Sequence, residues 1–103
     1  MATAEAAFAI TALVAILVVC VAGLAALSAQ VRCIDAAREA ARLAARGDDA
    51  SATQVAQRIA PAQSVVAVRR DGDFVVATVT AASVLPGVVI RAEGVSAVEP
   101  GVG

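Results

Sequence analysis

Ala6-Ala7-Phe8-Ala9-Ile10-Thr11-Ala12-Leu13-Val14-Ala15-Ile16-Leu17-Val18-Val19-Cys20-Val21-Ala22-Gly23-Leu24-Ala25-Ala26-Leu27-Ser28-Ala29-Gln30-Val31 is a run of 26 residues without a charge. As an α-helix it would extend about 39 Å, and the hydrocarbon core of a bilayer is about 30 Å thick. Its centre is rich in β-branched residues that disfavour helix in water. In lipid, however, the backbone must satisfy its own hydrogen bonds, so helix is the expected state. Thr11, Ser28 and Gln30 lie toward the ends of the run. Ala22, Gly23 and Ala26, with Ala25 and Ala29, crowd its second half and would let another helix approach closely. A cleaved secretory signal is the competing expectation, but such signals have a basic N-terminal region and a shorter apolar core, whereas the flank here carries Glu5.

Outside this run the chain has little material for chemistry. It contains no His, and its two cysteines, Cys20 and Cys33, would lie about 20 Å apart on one helix, beyond disulfide reach. Metal sites and nucleophile–base pairs lack ligands, so the chain reads as a non-enzyme with no cofactor and no small-molecule substrate. The hydrophobic fraction is 60%, aromatics make up 2%, and the net charge is −1. A nucleic-acid surface would require basic charge and stacking platforms, which argues against a nucleic-acid partner.

Beyond the apolar run, Gln30 to Arg46 lacks Pro and Gly and is rich in helix formers, so the helix should continue out of the membrane as an amphipathic arm. Asp35 with Arg38 and Glu39 with Arg42 have i,i+3 spacing for ion pairs. Ile34, Ala37, Ala41 and Ala44 or Ala45 form an apolar stripe, and Gly47 supplies the stop. Cys33 reads either as a buried thiol or as an intermolecular thiol in an oxidising compartment. Asp48 or Asp49 can cap a second helix, and Ser51 with Gln54 matches a capping box. Asp71-Gly72 between valine-rich runs marks a hairpin with a type I′ turn, and a further strand should follow Pro86-Gly87, although Gly94 interrupts its pattern. The solvated tip would present Arg69, Arg70, Asp71 and Asp73.

The expected fold class is α+β. A long N-terminal transmembrane helix (1–29) continues into the helical arm (30–47), followed by a small module (48–98) and a frayed tail (99–103). The module would hold one short helix (50–60) and a small two- or three-stranded antiparallel sheet built from 64–70, 73–82 and 88–98. Its apolar volume is small, so the sheet must pack on the extended helix or on neighbouring subunits.

Glu5 at the edge of the apolar run invites explanation. A helix N-terminus stabilises a carboxylate, and a charge at bilayer depth is otherwise costly. It could also pair with the N-terminal amine of a neighbouring subunit and so fix axial register, with Phe8 one turn further along the helix. Thr3-Ala4-Glu5-Ala6-Ala7, the apolar helix, and Gln30-Val31-Arg32-Cys33-Ile34-Asp35-Ala36-Ala37-Arg38-Glu39-Ala40-Ala41-Arg42 together resemble the TadE-like minor pilins or pseudopilins of the tight-adherence (Flp, type IV) pilus system.

This resemblance covers about the first 46 residues. It implies a prepilin whose leader is cut by a prepilin peptidase to leave the acidic residue fifth, with Met1 the processed N-terminus or the start of the chain. It also implies a single-pass protein of the bacterial cytoplasmic membrane with its C-terminal module outside, incorporated into a surface pilus. The implied partners are other pilin or pseudopilin subunits and the pilus assembly machinery. Two features depart from the pattern: no Gly precedes Met1, and the helix lacks the proline that many relatives carry. Arg32, Arg38, Arg42 and Arg46 all follow the apolar run, which by the positive-inside rule would place the module in the cytoplasm. A lost basic leader would reconcile the two orientations. The alternatives are a single-pass envelope binding module and a secreted small domain with a cleaved signal.

Overall fold

The computed structural model describes residues 2–83 and 87–98; Met1 and the tail 99–103 lie outside the described residues. The architecture is α+β. Helix α1 spans Ala2–Ala45, helix α2 Asp49–Ile59, and strands β1 Val65–Asp71, β2 Phe74–Ala82 and β3 Val89–Ala97 form an antiparallel sheet in the order β1-β2-β3. The molecule is a rod with a head at one end, 77 Å long and about 20 Å across.

α1 is continuous for 44 residues, through both the apolar run and the charged arm. It ends in a Schellman motif: Asp48 N–H donates to the Leu43 carbonyl (3.1 Å) and Gly47 N–H to that of Ala44 (3.0 Å). Gly47 has φ +87°, a conformation a side chain would strain. The chain then reverses into α2. Its N-cap is Asp48, whose carboxylate accepts from Ser51 N–H at 3.3 Å. The capping box expected at Ser51 and Gln54 is therefore replaced, because Ser51 is already the third helical residue.

The hairpin turn lies one residue later than expected. Asp71 pairs with Phe74, leaving Gly72-Asp73 as the two-residue loop. Of these two, only Gly72 has positive φ (+64°). That matches a type II′ turn with Gly at its first position, not type I′. The third strand forms in full, with Val89 opposite Ala82 and Ala97 opposite Phe74.

One face of the sheet packs on α1. Val75, Ala77, Val79 and Ala81 of β2 alternate inward and meet Ile90 and Ala92 of β3. The helix contributes Cys33, Ala36, Ala37, Ala40, Ala41, Ala44 and Ala45, while α2 adds Ala52 and Ala56. Ile34, expected on the buried stripe, is only half-buried. A layer of alanines has little area to bury, so its stabilisation depends on close approach and dense contact. Gly94 supplies that approach. A Cβ at this position would lie 2.5 Å from the Ala37 carbonyl carbon and oxygen and 2.7 Å from the Arg38 nitrogen. The glycine that looked like an interruption of β3 is thus the point where the helix backbone rests on the sheet.

Candidate functional site

The candidate site is the bare half of α1. Among the described residues, this is the one helix long and apolar enough to cross a membrane, and the most apolar window has mean hydropathy 2.9 with 0% of it buried. Phe8, Ile10, Leu13, Ile16, Leu17, Val18 and Val19 are exposed around the whole circumference. A helix apolar on all sides with no protein around it suits lipid or other helices, and not water. Thr11 Oγ1, within this stretch, donates to the Ala7 carbonyl at 2.8 Å.

Glu5 sits in the first turn of α1, where the free N–H groups and the helix dipole favour a carboxylate. Glu5 and Phe8 are both exposed and three residues apart, hence on neighbouring faces of one turn. The small residues divide. Gly23 faces open space, with nothing within 4 Å of an added Cβ, and Ala22 beside it is half-buried. Ala26 and Ala29 instead pack against the core of the chain's own module. The spacing assigns Ala26 to another helix; the module begins lower on α1 than the charge pattern indicates and takes part of its surface, leaving it half-buried.

In the arm, Glu39 and Arg42 form the expected pair, with Arg42 Nη2 donating to both carboxylate oxygens at 2.7 and 2.9 Å. Asp35 and Arg38 form no ion pair with each other among the described residues. Both are exposed, where water and side-chain entropy compete with so weak a bond. Cys33 has 0% exposure, so its sulfur is packing and is not placed to bond another subunit. Cys33 lies beyond the uncharged run, and burial raises its thiol pKa against a smaller opposing effect of Arg32.

Two arginines hold the module together in a way that spacing alone does not reveal. Arg32 Nε and Nη2 donate to the carbonyls of Ile59 (3.1 Å) and Ala60 (3.3 Å), closing the C-terminal end of α2 onto α1. At the other end Arg70 reaches Asp49 at 3.3 Å and the Ala44 carbonyl at 3.5 Å, joining the hairpin to both helix termini. Arg70 is therefore committed within the fold, while Arg69 and Asp71 lie 3.8 Å apart in solvent and Asp73 is exposed. Such side chain to carbonyl contacts span 26 to 28 residues of sequence and leave no local pattern. Among the described residues there is no cluster of three or more His, Cys, Asp or Glu able to hold a metal.

These features define a class: a small α+β protein whose single long helix is the core of a compact head at one end and a bare apolar rod at the other. The sequence is 64% identical over 98 residues to the protein named Apoptosis inhibitor Rv3655c from Mycobacterium tuberculosis (strain ATCC 25618 / H37Rv), an alignment that covers 94% of this chain and 78% of that protein. The chain belongs to the family of that protein. No family model matches the sequence, and no solved structure matches it.

Proposed function

We propose that this chain is a membrane-inserted minor pilin or pseudopilin that acts in assembly of a type IV (Flp/Tad) pilus through helix packing. The observation that carries the proposal is the continuity of α1: one uninterrupted helix is bare and apolar over its N-terminal half and clad by the module over the rest. Such a rod can wait in a bilayer and then exchange lipid for the helices of other subunits, since packing among apolar helices needs contact and not a loss of water. Glu5 would set the axial register by pairing with a neighbouring subunit's N-terminal amine. The role requires no catalysis. The partners would be other pilin subunits and the assembly machinery, with prepilin peptidase acting on a precursor, and the module would lie outside the cytoplasmic membrane. Packing of Ala26 and Ala29 against the module favours this role over a secreted domain, because losing about 28 residues as a signal would uncover that part of the core.

Replacing Glu5 by Leu tests the proposal in the native bacterium. Membrane insertion should persist, while recovery of co-purifying pilin-type subunits and surface piliation should fall about tenfold, equivalent to about 1.4 kcal/mol of lost pairing. Undiminished piliation and recovery would remove the register role. The name of the mycobacterial relative supports a second reading, inhibition of apoptosis. Mammalian cells expressing the full chain and given an apoptotic stimulus should then show reduced caspase activation; unchanged activation would set that reading aside.

A further inference from the structure

The geometry points to the head lying directly on the bilayer, with the start of β3 and its neighbours forming a lipid-contacting rim. This inference rests on the reading that α1 crosses a membrane. It starts from a length. Glu5 and Ala26 are 21 residues apart, about 32 Å of helix, and a hydrocarbon core is about 30 Å thick. Ala26 already packs against the module, so α1 has no spacer between the end of the hydrocarbon and the beginning of the head.

The direction of the strands then determines which end of the head meets the lipid. Gln30 Nε2 donates to the Arg91 carbonyl at 3.1 Å, and Gly94 lies under Ala37, so β3 runs in the same direction as α1. The beginning of β3, at Val89 with Val88 just before it, is therefore its membrane-proximal end. Val65 joins them two rows up, on the same face of the sheet as Val89, since Val65 and Arg91 both pair with Thr80. All three valines are exposed, Val89 at 68%.

Charge is distributed unevenly along the same axis. Arg32 lies at the rim and holds the end of α2, which brings the exposed Arg58 to the same level, and Arg91 is exposed beside Val89. Glu93, 3.5 Å from Arg91, offsets part of this charge. Asp48, Asp49, Asp71 and Asp73 gather at the opposite end, at the helix reversal and hairpin tip, together with Arg46, Arg69 and Arg70, two of which pair with these aspartates. An apolar edge with three arginines, Arg32, Arg58 and Arg91, against the two nearby carboxylates Asp35 and Glu93, fits an anionic phospholipid surface.

The test uses the full chain in vesicles of zwitterionic and anionic phospholipid carrying nitroxides at the headgroup or shallow in the acyl chain. An environment-sensitive fluorophore is attached at Val89→Cys or Val95→Cys in a Cys20→Ala background, and separately to the native Cys20. Val95 lies on the same face of the same strand with similar exposure (61%), about 20 Å further from the rim. Buried Cys33 stays unlabelled while the head is folded, which reports on the integrity of each variant. The probe at Val89 should be blue-shifted and quenched at least about threefold more than the probe at Val95. Quenching at Cys20 with none at Val89 overturns the inference alone, and absence at both overturns it together with the membrane reading. A blue shift at Val89 without quenching means that protein covers the rim, and equal quenching at Val89 and Val95 means the head lies on its side. Either result also overturns it.

Discussion

Replacing Gly94 by Ala adds a single methyl group where α1 and β3 touch. Its Cβ would lie 2.5 Å from backbone atoms of Ala37, and carbon contacts normally rest near 3.5 to 4.0 Å. The obstacle is main chain on both elements, so no rotamer change relieves it. Either the helix rises from the sheet by about 1 Å or the strand bends. A gap of that size forfeits about a quarter to a half of each dispersion contact it opens, and here it would open across the layer that Ala37, Ala40 and Ala41 share with Ala77 and Ala92. Overpacking costs about 1–3 kcal/mol, and this site belongs near the upper value. For a head of roughly 70 residues, whose whole stability would be about 4–10 kcal/mol, that is a large fraction. At about 4–8 °C per kcal/mol, the melting temperature should fall by about 12–24 °C. Cys33 provides the assay: its buried thiol becomes reactive to a fluorogenic maleimide when the head opens, so reactivity against temperature in detergent, in a Cys20→Ala background, reads the melting curve directly. Gly23→Ala is the control. It meets nothing within 4 Å and removes a helix-interior glycine, so its curve should be unchanged or slightly raised. A Gly94→Ala protein melting within about 2 °C of its parent would refute the close approach of helix and sheet.

Other consequences concern the joints of the head. Arg32→Ala removes both donors at the end of α2 and should cost about 1 kcal/mol, seen as faster amide exchange in α2 with little change in β2. Gly47→Ala forces a side chain into φ +87° and should destabilise the head by about 1 kcal/mol in the same thiol assay. For Cys33, burial raises the folded pKa above the unfolded value. Its contribution is therefore fully present below the ordinary thiol range and is lost as pH rises through the raised value. As pH rises above the ordinary thiol range the melting temperature, followed by circular dichroism, should decline, and Cys33→Ala should remove the part of that decline owed to the thiol.

Much of the architecture was legible in the sequence because it rests on local rules. An uncharged run of 26 residues requires a helix in lipid, and the absence of Pro and Gly after it carries that helix on to Ala45. The hairpin could be read from Asp71-Gly72, but its register could not, since the same Gly can stand first or second in a two-residue loop. Gly94 was misread for a physical reason. A glycine within a strand signals either weakness or close approach, and only the packed helix distinguishes the two. The roles of Arg32 and Arg70 depend on carbonyls at helix ends far away in sequence. Cys33 could be read as core or as an exposed thiol until the module was seen to cover it. Of the candidate site, Glu5 and the apolar rod were legible as a surface with no partner of its own, but the share of the small residues taken by the chain's own head was not.

The central claim is that the bare half of α1 meets other helices. A photoreactive phenylalanine analogue at Phe8, exposed one turn from Glu5, tests it in the native membrane. Irradiation should yield adducts to pilin-type subunits, identified by mass spectrometry, and these should be lost when Glu5 is also replaced by Leu. Adducts to lipid alone, unchanged by Glu5→Leu, would contradict the claim and leave α1 as an anchor.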